Sequence, residues 1–300
     1  MTIEVSHAER IVFPERGITK GEVVAYYEAI AARALVHLRD RPLSLKRYPK
    51  GLGGAGFFQK NVPPHYPASI ARLEVPRQGG VTIYPLVSTP DHLAYLANQN
   101  ALEMHVPLGR APTPWRPDRL VIDLDPPPGA LDLVRRAAML VRDFLGALGI
   151  ATVPVATGSK GYHVVAAISG APDDLALTMQ RLSALLAATH PEELTTEFRI
   201  VKRKGRVFVD WLRNRPGATV VAPYSIRARG NASVATPLAW DEVATTAPDA
   251  FTITDREALL ARPDPLAELA PTPAAPLIAA VDDVFARSGL VVEPFDRFRS

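Results

Sequence analysis

Residues 120–129 read Leu-Val-Ile-Asp-Leu-Asp-Pro-Pro-Pro-Gly. The apolar run predicts a buried strand over about 120–124, because Val, Ile and Leu fit a pleated surface that is covered by other elements. The prolines that follow cannot donate to a ladder and end the strand. Side chains two apart on a strand share one face, so Asp123 and Asp125 project together. Carboxylates so placed repel unless cations lie between them, and such an oxygen-rich site suits Mg²⁺ or Mn²⁺.

A third acidic residue ends another apolar run. Asp210 follows Val207-Phe208-Val209 and precedes Trp211-Leu212. A charge at this place is costly to bury unless it is paired or bound to a metal. With Asp123 and Asp125 it predicts a site for two divalent ions. Two plainer interpretations stay open: in one, an aspartate of the pair only caps the next helix, and in the other, Asp210 forms a salt bridge with Arg213.

The surrounding pattern alternates between helical and strand periodicity. Predicted helices span about 19–38, 89–97, 131–148, 173–189 and 277–288, and predicted strands span about 152–156, 163–168 and 207–209. This mixture predicts an α/β (α+β) fold. We expect one catalytic domain over 1–300, with an N-terminal module at about 1–110, a core at about 111–269, and a C-terminal helix and tail at 270–300.

A glycine-containing loop connects two of these strands. It carries Thr157, Ser159, Lys160 and His163. Glycine allows close backbone approach, and hydroxyl, ammonium and imidazole groups can hold phosphate oxygens. The loop lacks the spacing of a Walker A motif and would be an ordinary turn on its own. Beside the aspartates it predicts a cradle for a triphosphate.

Residues 51–56 match the G-x-G-x-x-G dinucleotide fingerprint, but no strand-to-helix transition is predicted around them. We therefore expect a plain loop. Phe57 and Phe58 follow it, just before Lys60. One ring could stack on a base while lysine holds the backbone, as in single-strand binders. Alternatively, one ring lies in the core and the other covers it.

Composition sets wider limits. The chain has 300 residues, a net charge of +3, a pI near 9.2 and no cysteine. This excludes disulfides, thiolate metal sites and a cysteine nucleophile. We expect a cytoplasmic protein without a membrane partner, because no run is long enough to span a bilayer and the N-terminus shows no secretion signal. Basic residues cluster at 46–50, 202–206, 213–215 and 227–229, which favours binding of phosphates.

Four motifs occur in one order: Asp-Leu-Asp-Pro at 123–126, Gly-Ser-Lys-Gly-Tyr-His at 158–163, Val-Phe-Val-Asp-Trp-Leu at 207–212 and Ala-Pro-Tyr-Ser-Ile-Arg-Ala-Arg at 222–229. The set resembles the polymerase domain of bacterial DNA ligase D, of the archaeo-eukaryotic primase superfamily, which works in non-homologous end joining. The resemblance extends from Ile11 to about Leu269. Because no ligase or phosphoesterase segment is present, it suggests a stand-alone polymerase.

The resemblance implies a primase-polymerase type core with mixed or antiparallel sheets flanked by helices. It implies that Asp123, Asp125 and Asp210 are catalytic and bind two Mn²⁺ or Mg²⁺ ions. Together with the loop, it gives a nucleotide-binding set of Lys46, His105, Thr157, Ser159, Lys160, His163, Arg213, Arg227 and Arg229. The corresponding DNA-binding set is Arg10, Lys20, Phe57, Phe58 and Lys60.

Within these sets, Arg10 and Lys20 match basic residues that grip a downstream 5′-phosphate, and His105 matches a histidine near the nucleotide sugar. Three positions depart from the family pattern: Thr157 replaces a serine, Arg10 replaces a lysine, and Pro107 stands where a tryptophan is usual.

The expected function is template-dependent addition of nucleotides, with a preference for ribonucleotides, at gapped or overhanging DNA ends that carry a 5′-phosphate. The expected partners are NTPs or dNTPs, an end-binding protein such as Ku, and a separate DNA ligase, with the chain located at the nucleoid. Two alternatives remain. One is a metal-dependent nuclease or phosphoesterase that uses the same carboxylates, and the other is a non-catalytic module that bridges DNA ends.

Overall fold

The computed structural model describes residues 3–173 and 175–293. The helices of this part of the chain are α1 Lys20–Leu38, α2 Pro90–Asn98, α3 Leu131–Ala147, α4 Ala176–Thr189, α5 Arg256–Ala261 and α6 Ala274–Ser288. Its strands are β1 Ile11–Phe13, β2 Ile18–Thr19, β3 Ser44–Arg47, β4 Phe57–Gln59, β5 Ala71–Arg77, β6 Gly80–Leu86, β7 Ala101–Val106, β8 Arg119–Asp125, β9 Val153–Ala156, β10 Tyr162–Ser169, β11 Leu194–Thr195, β12 Val207–Asp210, β13 Val220–Val221, β14 Thr236–Pro237 and β15 Thr272–Pro273.

Two sheets form the framework. The larger has the order β11-β12-β8-β10-β9-β14, with β15 paired to the end of β10. The smaller has the order β13-β7-β3-β4, and the pairs β1-β2 and β5-β6 stand apart. Pairing is antiparallel except for β11-β12 and β10-β15. The expected mixed α/β architecture, with largely antiparallel sheets and flanking helices, is confirmed.

Strand β8 lies inside the larger sheet and is buried on both faces. Leu120, Ile122 and Leu124 join a core cluster with the inner face of α3. Val121 points the other way, into a second cluster that contains α1, α2 and the smaller sheet. The period-2 geometry of a strand places Asp123 and Asp125 on that second face. Both acids therefore look into the space between the two sheets.

Local sequence signals begin α1 and α2 where they were predicted. Thr19 and Glu22 form the capping box that begins α1, and the Thr89 hydroxyl accepts from His92 N at the start of α2. The bounds of α3 and α6 differ by one to three residues from the prediction, and α4 begins at Ala176 rather than 173. Asp174, in the predicted helix, and residues 294–300, in the predicted tail, lie outside the described residues.

Residues 51–56 form a loop between β3 and β4 with no helix after it, so rejection of the dinucleotide fingerprint is confirmed. No helix within residues 3–173 and 175–293 combines the length and the hydrophobicity needed to cross a membrane.

Candidate active site

The pairing of three strands brings the predicted acids together. In the register of the larger sheet, Asp210 of β12 lies directly opposite Asp123 of β8, and His163 of β10 lies opposite Asp123 on its other side. Residues directly opposite in an antiparallel pair share a face, with Cβ atoms roughly 5 Å apart. Asp125 is two residues further along the same face. The sheet thus presents a row of Asp210, Asp123 and His163, with Asp125 beside it.

Basic side chains surround these carboxylates. Arg213 Nε lies 3.0 Å from Asp123 Oδ2 and 3.4 Å from Asp210 Oδ2. Lys160 Nζ lies 3.2 Å from Asp125 Oδ1, and His163 Nε2 lies 3.6 Å from Asp123 Oδ1. Asn214 fixes the turn after β12 to β8, because its side chain bonds both the N–H and the C=O of Val121. The turn that carries Arg213 is therefore held beside the acids.

The pKa values of the two central carboxylates, Asp123 and Asp210, are shifted in opposite directions. Burial raises the pKa of Asp210, and the neighbouring charge of Asp123 raises it further, to about 6. Burial also acts to raise the pKa of Asp123, but the charges and hydrogen bonds of His163 and Arg213 outweigh it and hold that pKa well below its usual range. One arginine shared between two buried acids does not supply enough positive charge for both.

Of the two plainer interpretations of the aspartates, the structure contradicts one and shows the other. The helix-cap reading is wrong, because Asp125 lies in β8 and α3 begins after Ala130 without a side-chain cap. The salt bridge from Asp210 to Arg213 is present. Among the described residues, no three His, Asp or Glu side chains already stand in an arrangement that could hold a metal ion. A guanidinium occupies the cation position between Asp123 and Asp210. The donor set, three carboxylates on one sheet face, fits hard divalent ions in its chemistry.

The loop between β9 and β10 is fixed against β8 and the 226–229 segment. Gly158 has φ +65°, and a Cβ at Gly161 would collide with the Leu124 carbonyl, so both positions need glycine. The Thr157 hydroxyl is already used, because it donates to Gly161 O at 2.7 Å. Ser159 Oγ accepts from Arg229 Nη2 at 3.0 Å. The loop thus gathers Ser159, Lys160 and Arg229 at the edge of the acidic row.

The smaller sheet contributes a second group on the other side of the space between the two sheets, which we call the cleft. Lys46 of β3 lies opposite Glu103 of β7, and His105 follows two residues later on the same face. Glu103 is buried and contacts Lys46 Nζ at 3.5 Å, His105 Nε2 at 2.8 Å and Arg227 Nε at 3.3 Å. Its Oε1 also accepts from Ala228 N at 3.1 Å. We call Glu103, Lys46, His105 and Arg227 the Glu103 cluster.

Glu103 was missed as a site residue by sequence reasoning. A signal existed: a carboxylate inside the apolar strand formed by residues 101–106 is as costly to bury as Asp210. Its partners hold its pKa at about 2, because the hydrogen bond from His105 and the charge of Arg227 outweigh the effect of burial. Burial lowers the pKa of His105, and the charges of Arg227 and Lys46 lower it further.

Both rings of the Phe57-Phe58 pair are exposed, at 47% and 55%. The interpretation that one ring lies in the core is therefore wrong, because β4 is an edge strand whose two faces both reach solvent. Phe58 makes an edge contact with His105 at 5.3 Å and lies 5.8 Å from Lys46 Nζ. Lys60 is exposed and lines a groove of about 600 Å³ together with Phe58.

Arg10 and Lys20 lie next to each other at the N-terminal end of α1, where Lys20 N donates to Arg10 O at 2.8 Å. Lys20 is buried, and its ammonium donates to Ser6 O at 2.7 Å and to Ser6 Oγ at 2.8 Å. Arg10 Nη2 contacts Asn100 Oδ1. Burial and the charge of Arg10 lower the pKa of Lys20 to about 8. Ser6 contacts Lys20 and Asn100 contacts Arg10, and sequence reasoning identified neither partner.

Comparison with known proteins adds a family likeness. The family model described as "LigD, primase-polymerase domain" matches residues 19–266. The multifunctional non-homologous end joining DNA repair protein LigD of Mycobacterium tuberculosis strain H37Rv is 34% identical over 252 residues, which cover 80% of this chain and 33% of that protein. The bifunctional end joining protein LigD of Bacillus subtilis is 31% identical over 258 residues, which cover 84% of this chain and 41% of that protein.

A solved structure, the polymerase domain of Mycobacterium tuberculosis ligase D in complex with DNA, superposes with a TM-score of 0.81 at 32% identity, covering 87% of this chain and 95% of that one. The match to the full-length relatives covers 33–41% of their length.

Proposed function

Because the chain belongs to the LigD primase-polymerase domain family, and is thus a nucleotidyltransferase of the polymerase class, we propose that it extends DNA 3′ ends at breaks under template direction. The proposed substrates are gapped or overhanging DNA with a 5′-phosphate, together with NTPs or dNTPs. The observation that carries the proposal is the row of Asp210, Asp123 and His163, with Asp125 beside it, facing a cleft that is lined by basic groups on its other side.

The three carboxylates are the groups that would hold two divalent ions, Mg²⁺ or Mn²⁺. When bound, such ions lower the pKa of an attacking hydroxyl and neutralise charge on the phosphates. Asp123 and Asp210 would exchange their contact with Arg213 for these ions. Asp210 favours that exchange. Its raised pKa shows that its ionised form is destabilised, and each positive charge added nearby stabilises that form.

The basic residues have a separate role. Lys160, Arg229 and His163 surround the acidic row and are placed to hold the oxygens of a triphosphate. The charges of Lys160 and Arg229 would stabilise the negative charge that moves onto the leaving pyrophosphate, and His163 would add a hydrogen bond. Arg227 and Lys46 extend this positive surface to the opposite wall of the cleft.

DNA would contact the outer parts of the same cleft. The exposed Phe57 and Phe58 offer faces for base stacking, with Lys60 nearby for the backbone. Arg10 and Lys20 form a compact positive site suited to a terminal phosphate. His105 lies between the Phe58 ring and the Glu103 carboxylate, and we assign to it contact with the sugar and the preference for ribonucleotides. An end-binding protein such as Ku, a separate ligase and a location at the nucleoid complete the proposal.

The test is primer extension on a labelled one-nucleotide gap, comparing rNTPs with dNTPs and Mn²⁺ with Mg²⁺. Asp123→Ala/Asp125→Ala should lose extension by at least about 1000-fold, because each carboxylate removed forfeits metal binding. Binding of the gapped DNA, measured by fluorescence anisotropy, should stay within about threefold, since the DNA contacts lie elsewhere.

Three outcomes would contradict the proposal. Extension by the double variant at the rate of the original chain would remove the acids from catalysis. Shortening of the labelled strand without nucleotide would indicate a nuclease. End synapsis without any incorporation would indicate a bridging module.

A further inference from the structure

A buried carboxylate is unexpected in the wall of a cleft that has to attract a triphosphate. Glu103 has only 4% of its side chain exposed and takes contacts from Lys46, His105, Arg227 and the Ala228 N–H. These contacts come from β3, from β7 itself and from the segment after β13. The carboxylate cancels part of the positive charge of this wall and so weakens its attraction for a triphosphate. A function of Glu103 is therefore to be sought in its effect on Lys46, His105 and Arg227.

We propose that Glu103 is a positioning residue of the nucleotide site, which holds Lys46 and Arg227 in place and fixes His105 in a single tautomer. The inference rests on the proposed polymerase function. It adds a role for a residue that does not itself touch the nucleotide.

Arg227 shows the positioning effect most clearly. Its Nη1 donates to Thr157 O at 2.7 Å, and its Nε lies 3.3 Å from Glu103 Oε2. The hydrogen bond from Nη1 and the ion-pair contact at Nε, which forms no hydrogen bond, together restrict the direction of the guanidinium. Within the described residues Nη2 donates no hydrogen bond, and 17% of the Arg227 side chain is exposed, so Nη2 stays available to a phosphate oxygen.

Lys46 gains a comparable constraint. Its stem rises from β3 between the rings of Tyr48 and Phe58, with Nζ 5.5 Å and 5.8 Å from their centroids. A lysine side chain has four free torsions and would otherwise turn away from a second cation such as Arg227. The Glu103 carboxylate between them offsets that repulsion. Lys46 and Arg227 can therefore lie close together on the same wall of the cleft before the nucleotide binds.

His105 is constrained through its proton. Its Nε2 lies 2.8 Å from Glu103 Oε2, and an ionised carboxylate only accepts hydrogen bonds. Nε2 therefore carries the hydrogen, and Nδ1 of the neutral ring is an acceptor. An acceptor nitrogen pairs with a hydroxyl donor and repels a phosphate oxygen. Glu103 thus makes His105 a reader of a sugar hydroxyl instead of a phosphate ligand.

The experiment compares Glu103→Gln with the original chain in single-nucleotide gap filling. The amide keeps the shape but loses the charge and can offer N–H or C=O to His105. We expect the KM for the incoming nucleotide to rise about tenfold or more, the typical effect of losing charge-assisted hydrogen bonds, while kcat stays within about threefold. The ratio of kcat/KM for rNTP over dNTP should fall, because Nδ1 is no longer held as an acceptor.

Asp264→Asn is the matched control. Asp264 is also a mostly buried acid that accepts from a buried histidine, His37 Nε2, at 2.9 Å, and its other side-chain donor is the Tyr224 hydroxyl. None of these residues belongs to the proposed nucleotide site. The control should change stability and leave the KM and the sugar ratio as they were.

An unchanged KM and sugar ratio in Glu103→Gln would overturn the proposal, and so would an equal KM rise in Asp264→Asn. Should Glu103→Gln not fold, Glu103→Asp replaces it: an intermediate KM supports positioning, and an unaltered KM refutes it. If the original chain extends no primer, the polymerase function itself fails. Equilibrium binding of labelled ATP then still compares the two chains, with weaker binding by Glu103→Gln expected and equal binding decisive against the proposal.

Discussion

Asp210 and Glu103 are both buried acids on strands that face the same cleft, yet burial has opposite consequences for them. Asp210 shares Arg213 with Asp123 and accepts one backbone hydrogen bond, from Leu212 N at 2.8 Å. Glu103 has three basic side chains and one backbone N–H to itself. Burial and the neighbouring Asp123 therefore raise the pKa of Asp210 to about 6, while the partners of Glu103 overcome burial and hold its pKa at about 2.

The difference shows that a buried carboxylate can have either of two roles, depending on how much positive charge surrounds it. A carboxylate group that is short of positive charge gains free energy when a cation arrives, so it is suited to bind metal ions. A carboxylate that is saturated by its neighbours has nothing to gain from another cation and instead keeps its neighbours in place. The acidic row and the Glu103 cluster occupy opposite walls of the cleft. The first two predictions below each change one of them, and the last two concern the proposed DNA contacts outside both.

Among single substitutions, the largest effect is expected from Asp210→Asn. The amide removes a charge that metal binding needs, so primer extension should fall by about 100-fold or more. The same change relieves the repulsion with Asp123, and the metal-free variant should be more stable than the original chain at pH 7.5, by about 1–2 kcal/mol. Urea unfolding in the presence of a chelator measures the second quantity. Loss of activity accompanied by loss of stability would show that the acid is a structural residue.

Glu103→Gln should have the opposite effect on stability. A carboxylate whose pKa is lowered from 4.5 to about 2 stabilises the fold fully above pH 4.5, and this contribution is lost as the pH falls towards 2. We expect the variant to lose about 3 kcal/mol of unfolding free energy at pH 7. The difference in unfolding free energy between the variant and the original chain, measured by urea titration, should become smaller between pH 4.5 and pH 3. A gap that does not depend on pH would mean that shape, and not charge, is what Glu103 supplies.

These two acids also mark how far the sequence alone could reach. Asp123, Asp125 and Asp210 were predictable, because charged residues inside or at the end of short apolar runs are conspicuous and period-2 geometry fixes their face. The sequence did not specify which strands would be neighbours. The antiparallel pairing that sets Asp210 and His163 on either side of Asp123 depends on contacts between stretches that are far apart in the chain.

Other features lacked a local signal altogether. Strand β5 is largely exposed, and β6 buries the neighbouring residues Tyr84 and Pro85, so neither strand has the regular alternation that would reveal it. The role of Glu103 depends on Lys46 and Arg227, which lie 57 residues before it and 124 residues after it in the chain. The sequence could suggest a costly buried acid at this position, but only the fold identifies its partners.

A smaller effect is expected at the exposed rings on the rim of the cleft. Phe58→Ala should weaken binding of DNA with a single-stranded overhang by about tenfold, the usual loss when one stacking ring is removed. Stability should change little, because the ring is 55% exposed and no core contact is lost. Anisotropy with overhanging and blunt duplexes measures the effect. Val81→Ala, at an exposed apolar residue of the β5-β6 hairpin, is a control for the mere loss of apolar surface. Equal weakening by both variants would argue against stacking.

The smallest effect is a pH dependence at the Arg10-Lys20 pair. Burial and the charge of Arg10 lower the pKa of Lys20 to about 8, so its ammonium is present below that pH and is lost as the pH rises through it. Preference for gapped DNA with a 5′-phosphate over a 5′-hydroxyl should therefore fall by about threefold to tenfold between pH 7 and pH 9. Arg10 keeps its charge throughout, so some preference should remain. Lys20→Arg keeps a charge at both pH values and should show a flat profile. If the original chain is equally flat to pH 9, the ammonium of Lys20 does not contact the phosphate, and the site for the 5′-phosphate has to be sought elsewhere.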